Sequence, residues 1–315
     1  MNTLVIFVRW IFSNISKILL VLLLTVVFVV LLFPLGDLND LISTQVSNLT
    51  QKLVYFQFDN MRLNPLTTTL TIENATVDSP IVTNLNIDSI SLSPALSNLW
   101  RKPGGTLTVN GILKGDVLVE VSPSGNKSKV ELSASNFSLK ELRETASLPL
   151  PMSGNLNVSS QGLADLTFTE QPEMDLSVVI NNFEMPSGNI NTQQMGALSV
   201  PMVQFDKVEL KGKLSAGKFQ IENGKLGSSR NEFYGDVRGE MSLSFRIENN
   251  RLIPVFGPYS LSLDLKATPD FQQRATLFLS FLDGYKVPGS SPANYKITIS
   301  AQSILGDVPN FSPNR

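Results

Sequence analysis

The sequence contains no cysteine and no histidine. The first absence excludes a disulfide framework and any thiolate metal site. The second removes Ser-His-Asp and Cys-His catalysis, imidazole-ligated metals and histidine pH switching. Charge is also sparse, 17% of 315 residues with a net charge of −2. No dense basic patch offers a footprint for a phosphate backbone, so nucleic acid is not an expected partner. Catalytic motifs are missing too. Pro103-Gly-Gly105 and Pro288-Gly-Ser-Ser291 lack the lysine and the strand-to-helix setting of a phosphate loop, and read as turns. No serine stands in a Gly-x-Ser-x-Gly elbow. Carboxylates are scattered. Asp236 and Glu240 share one face of a predicted strand, but about 13 Å apart at strand rise, too far for a glycosidase pair. The expectation is a non-enzymatic protein with no metal and no cofactor.

What is abundant is apolar residue, first in one run and then in alternation. Ile18 to Leu35 carries no charge and a single hydroxyl, Thr25. A membrane-crossing helix needs about 20 such residues. Arg9 and Lys17 precede the run, and Asp37 and Asp40 follow it. The positive-inside rule makes 1–17 a cytoplasmic N-terminus, 18–36 a single transmembrane anchor, and the remainder the far side of the membrane. A cleaved signal needs a shorter apolar core and a small-residue cleavage site. Phe33 to Asp37 supplies only Gly36, so an uncleaved anchor is expected. Leu38, Leu41, Ile42, Val46, Leu49 and Leu53 recur at helical spacing and predict a helical stalk over 37–53.

From residue 54 the period falls to two. A first β half is expected over 54–147 and a second over 148–305, with the Pro-rich Leu148 to Met152 between them. In the first half, Leu85 and Ile87 continue as Ile90 and Leu92, one residue out of step, as across a β-bulge. Pro94 to Trp100 reads as one helical turn, and Leu139 to Thr145 as a short helix. Glu184 to Met202 shows no period and reads as a loop. Phe233 to Arg246 alternates over fourteen residues, longer than ordinary strands. Within 269–283 lies one amphipathic helix, with Thr268 as N-cap, Pro269 in the first turn, Gly284 as stop, and Phe271, Ala275, Phe278 and Leu282 facing inward. Residues 306–315 read as a flexible tail. The fold class is therefore mainly β: an N-terminal transmembrane helix, then a long curved, largely antiparallel sheet of about thirteen strands with one helix near the C-terminus. Such a sheet covers its apolar face by folding over, by packing the helix, or by holding a ligand. The residues expected on that face, as groove or as core, are Phe233, Val237, Met241, Leu243, Phe245, Leu261, Leu263 and Leu265.

Three strings carry a resemblance. Leu148-Pro-Leu-Pro-Met-Ser-Gly-Asn-Leu156, Ile221-Glu-Asn-Gly-Lys-Leu-Gly227 and Gly235-Asp-Val-Arg-Gly-Glu-Met-Ser-Leu243, behind an anchor and in a Cys-free β chain, resemble the longer form of the N protein of bacterial type II secretion systems (GspN). Asn84-Leu-Asn-Ile-Asp-Ser-Ile-Ser-Leu-Ser-Pro-Ala95 is similar to the broader AsmA-like envelope proteins. The resemblance implies an accessory component at the bacterial inner membrane, with a periplasmic β-domain that meets other secretion-system subunits. The AsmA-like likeness implies a β-groove that binds or transfers lipid. A membrane-anchored β-domain with a closed, dry core is the third reading. None of these brings catalytic residues.

Overall fold

A computed structural model describes residues 15–17, 20, 21, 24, 25, 28, 38–50, 52–80, 82–95, 104–146, 151–165, 167, 169–192, 196–248, 251–302 and 309–314. The anchor expected over 18–36 and the turn expected over Pro94–Trp100 lie largely outside them. Among the described residues no helix is long and apolar enough to cross a membrane.

The rest is organised by period-two alternation. Fourteen strands form one open sheet in almost strictly consecutive order, and every pairing is antiparallel. They are β1 Tyr55–Asn64, β2 Thr69–Asp78, β3 Leu85–Pro94, β4 Gly105–Ile112, β5 Gly115–Ser124, β6 Lys127–Ser138, β7 Ser153–Ala164 and β8 Glu173–Met185. After an excursion come β11 Val203–Ser215, β12 Lys218–Leu226, β13 Phe233–Glu248, β14 Arg251–Ala267, β15 Ala293–Ala301 and β16 Asn310–Pro313. The excursion is a hairpin, β9 Gly188–Thr192 with β10 Gly196–Val200. It replaces the loop expected over Glu184–Met202. Its Asn, Gly and Thr residues hide the alternation, and pairing rather than propensity makes the strands. The tail expected to be flexible contributes β16, which pairs with β15 through Ile299↔Phe311 and Ile297↔Pro313. Strands β6 and β7 pair across the Pro-rich stretch, Ala134↔Val158, so both β halves share one sheet.

The out-of-step apolar spacing seen in β3 is general. In β1 the apolar set runs Phe56, Phe58, then Met61; in β2 it runs Ile72, then Ala75; in β4 it runs Val109, then Ile112. Strand β4 shifts against β5 between Asn110 and Ile112, whereas between β1 and β2 register does not slip there, since Phe58↔Ala75 and Asn60↔Glu73 obey one alignment. Instead each strand changes phase on a transverse line through Asp59, Asn74, Asp88 and Gly111. Asn74 and Gly111 have φ of 51° and 79°, a region that Asn and Gly tolerate best. Asn74 Nδ2 donates to Asp59 Oδ2 at 3.0 Å. The step keeps apolar side chains on one side of the sheet. Phe58, Met61, Ala75 and Ile87 accordingly form one buried cluster. The device recurs at Asn182 (φ 51°) in β8, between Ile180 and Phe183.

Helices gather along one rim of the sheet, where strands begin or end. Helix α1 (Asn39–Leu49) enters β1 there, α2 (Leu139–Thr145) joins β6 to β7, and α3 (Pro269–Arg274) and α4 (Thr276–Ser280) join β14 to β15. Helix α1 is no free stalk: Leu38 and Ile42 pack against the Phe58 cluster, and Asn39 Nδ2 donates to the Phe58 carbonyl. Helix α2 has the expected bounds, with Ser138 Oγ accepting from Glu141 N–H. The single helix expected over 269–283 is corrected to two pieces that break at Ala275 (φ −108°, ψ 22°). Thr276 Oγ donates back to the carbonyls of Gln272 and Gln273 at 2.9 and 3.0 Å, a bond that bends helices. The buried stripe is Phe271, Ala275 and Leu279, with Phe278 and Leu282 at its margin.

Candidate binding face

Directly opposite residues in a sheet project to the same face, so the registers can be followed from edge to edge. One line runs Met61–Ile72–Ile90–Val109–Val117–Ala134–Val158 across β1 to β7. It continues Val178–Leu210–Gly224–Val237–Leu263–Ile297–Pro313 across β8 to β16. It crosses all fourteen strands without a charged or polar side chain. A second line two residues away passes through Leu107, Val119, Leu132, Ser160, Leu176, Gly212, Ile221 and Gly239 to Leu261, again uncharged. A third joins Val121, Val130, Gly162, Met174, Leu214, Phe219 and Met241 to Tyr259. At about 4.8 Å per strand the face is about 60 Å wide.

Its two ends are covered. The Phe58 cluster and α1 close one end. At the other, α3 and α4 lie over Leu265, Ala267, Ala293, Tyr295 and Ile297. Four phenylalanine rings knit that end together: Phe183 to Phe205 at 5.7 Å, Phe205 to Phe233 at 6.4 Å, and Phe233 to Phe271 at 5.0 Å. Strand β12 stops at Leu226, which lets Phe205 of β11 reach Phe233 of β13 directly. Between the ends, Val117, Val119, Leu132, Val158, Leu176, Val178, Leu210 and Ile221 are only half-buried. Among the described residues the two buried apolar clusters lie at the ends, while in the middle stretch Ala134 on the first line and Leu214 and Phe219 on the third are buried as well.

The eight residues expected on the face divide between these regions. Leu265 is buried, and Phe233 and Leu263 pack beside it under α3 and α4. Val237, Met241, Leu243, Phe245 and Leu261 are half-buried and outside both clusters. The gaps expected at Gly235 and Gly239 are filled by the neighbouring strand. A Cβ at Gly235 would stand 2.4 Å from the Asp264 carbonyl and 2.9 Å from Leu265 Cδ2. At Gly239 it would stand 2.2 Å from the Ser260 carbonyl. Sequence reasoning missed the centre of the face, Val117, Val158, Val178 and Leu210. Their strands show the alternation, but only the register reveals one line.

The reverse face is polar. It carries a hollow of about 570 Å³ lined by Glu120, Glu131, Gln161, Asp175, Lys211 and Glu222 among others. Glu120 stands directly opposite Glu131, and Lys129 pairs with Glu131. Lys211 and Lys207 flank Glu209 and hold its carboxyl below the usual range. Asp236 faces Asp264 across β13 and β14, with Lys225 and Lys296 on the outer strands. The hydroxyls of Thr169 and Thr167, then the Thr167 N–H, hold Asp165 far below the ordinary carboxylate range. Among the described residues no group of three or more acidic side chains stands close enough to hold a metal ion. The chain matches no family model, no curated protein and no solved structure.

Proposed function

We propose that the chain is a non-enzymatic, membrane-tethered component of the bacterial envelope that acts as an accessory of a type II secretion system. The span over 18–36 fixes it in the inner membrane with residues 1–17 in the cytoplasm, and the sheet works in the periplasm. The observation that carries the reading is the charge-free line of opposed residues across fourteen strands, half-exposed between its covered ends. A contiguous apolar patch left open to water on a monomer often marks a binding site. From β5 to β13 the open stretch covers six inter-strand steps, about 29 Å, and the first two lines of residues, about 7 Å apart. A surface of that kind binds rather than catalyses. Deleting the gene in a strain that secretes by this route should lower extracellular cargo while its periplasmic precursor accumulates. Unchanged secretion would end the accessory reading.

The same stretch favours a second reading, in which the face holds acyl chains. An extended acyl chain of a membrane lipid is shorter than the open stretch, and the first two lines present Val, Leu and Ile to it with Ser160 as their one hydroxyl. Lipid mass spectrometry of the full chain purified in a non-lipid surfactant checks this. Stoichiometric lipid supports the groove, and lipid-free protein refutes it.

A further inference from the structure

Strand β12 ends at Leu226, opposite Val208, so residues 203–207 of β11 run on without it. Burial alternates along that run. Val203 and Phe205 are buried in the apolar cluster, while Gln204 and Asp206 stay exposed. Where β12 would continue there is a notch, a hollow of about 400 Å³ lined by Gln204, Asp206, Arg230, Glu232, Phe233 and Arg274 among others. That volume lies within the range of small-molecule sites.

The backbone around the hollow is tied down. The turn after β12 closes on itself: the Asn231 N–H donates to the Ser228 carbonyl at 2.9 Å, and Asn231 Oδ1 accepts from the Ser228 N–H at 2.8 Å. The Gly227 N–H seats this turn on β11 by donating to the Lys207 carbonyl at 2.9 Å. The Glu232 carbonyl accepts from the Thr268 N–H at 2.8 Å, and the Thr268 side chain caps α3. Arg274 closes α3, stands over the Phe271 ring at 6.0 Å and pairs with Glu232. Arg230, Glu232 and Arg274 therefore hang on one braced framework.

Charge selects the ligand. The lining carries two arginines and two carboxylates, which sum to zero. Arg274 and Glu232 satisfy each other. Arg230 and Asp206 form no ion pair among the described residues. The two open positions are thus of opposite sign. A lone anion would suit Arg230 but meet Asp206 and Glu232, and a lone cation would meet the reverse. A molecule bearing both signs meets both open groups. Guanidinium grips phosphate oxygens as a fork, and a carboxylate accepts from an ammonium. A simple amino acid underfills the hollow. We infer that the notch is a binding site for a small zwitterion of the phosphoethanolamine type, with its phosphate on Arg230 and its ammonium on Asp206. A lipid headgroup and its free glycerol ester both present that chemistry. Neither the secretion role nor the acyl-chain groove is needed for this site.

The test is calorimetric titration of sn-glycero-3-phosphoethanolamine into the full chain in a non-ionic surfactant. Glycerol 3-phosphate and ethanolamine, which carry one sign each, are titrated beside it. The zwitterion should bind at least tenfold more tightly than either. Arg230→Gln and Asp206→Asn should each weaken it at least tenfold at unchanged melting temperature, since both side chains are exposed. On the single-sign compounds the two variants should diverge: Asp206→Asn should tighten glycerol 3-phosphate, and Arg230→Gln should tighten ethanolamine. No binding of the zwitterion, equally tight binding of glycerol 3-phosphate, or binding indifferent to both substitutions would each overturn the inference. Phosphatidylethanolamine in mixed micelles of the same surfactant separates the sources. Competition with the soluble compound assigns a lipid headgroup, and lack of competition assigns the free ester. Wild-type protein that purifies free of lipid would end the groove reading and leave this site standing.

Discussion

Val178 and Ile297 lie on the same apolar line, and aspartate at each should have very different effects. Ile297 is 2% exposed beneath α3 and α4. Replacing it forfeits the burial of a full aliphatic side chain, about 1.5–3 kcal/mol, and leaves a carboxyl without a hydrogen-bond partner, about 1–3 kcal/mol more. The sum, about 3–6 kcal/mol, is a large share of the 5–15 kcal/mol that holds ordinary domains together. At about 2–4 °C per kcal/mol for a large domain, Ile297→Asp should lower the melting temperature by about 6–24 °C or abolish folding. Val178 is half-buried in the open stretch. Its carboxylate reaches water, only part of a smaller side chain is lost, and the cost should be about 1 kcal/mol. Thermal melts of both variants as full chains, followed by the β circular dichroism signal, make the comparison. If Val178→Asp melts as low as Ile297→Asp, the middle of the face is covered and the binding reading loses its basis.

Phe205→Ala should cost about 3–4 kcal/mol in urea unfolding, because it removes the second ring of a four-ring chain at the place where β12 ends; a cost under 1 kcal/mol would mean the stack is incidental. Gly235→Ala drives a methyl to 2.4 Å from a backbone carbonyl and should cost about 1–3 kcal/mol, whereas Gly284→Ala meets nothing within 4 Å and should be neutral or slightly stabilising. Asp165 has a folded-state pKa depressed by its threonine donors. Its contribution is present above the ordinary carboxylate pKa and is lost as pH falls through the depressed value. The carboxyl resonance of Asp165 should therefore still report the anion at pH 4, and half-protonation at that pH would refute the clamp.

Local features of this fold were readable and collective ones were not. Helix α2 is bounded by Ser138 and a run of Leu, Lys and Glu that declares both ends. The phase step in β3 was visible as Ile87 followed by Ile90, but its extension along a line of Asp59, Asn74, Asp88 and Gly111 depends on three registers at once. The hairpin of β9 and β10 is built from residues with weak β preference, so only the pairing reveals it. The helix at 269–283 carried a correct start signal in Thr268 and Pro269, but its second piece ends at Ser280, with Gly284 inside a separate 3-10 turn, and Thr276 broke it by a back-bond that apolar periodicity does not register. The candidate face is the extreme case. Each strand displays a few alternating Val and Leu, and nothing in any single strand tells that Val117, Val158, Val178 and Leu210 stand side by side.

The consecutive strand order has a consequence for how such a protein changes size. Each strand pairs only with the one before and the one after, apart from the excursion between β8 and β11, much as in repeat arrays where stability is a sum of nearest-neighbour terms. Removing two adjacent strands, β5 and β6 for example, restores chain direction and brings Val109 of β4 opposite Val158 of β7, apolar against apolar. Length can therefore be gained or lost in steps of two strands, about 9.6 Å, with no rewiring of connections elsewhere. Such a scaffold is a ruler with a fixed graduation, and relatives spanning different distances need differ only in how many hairpins they carry.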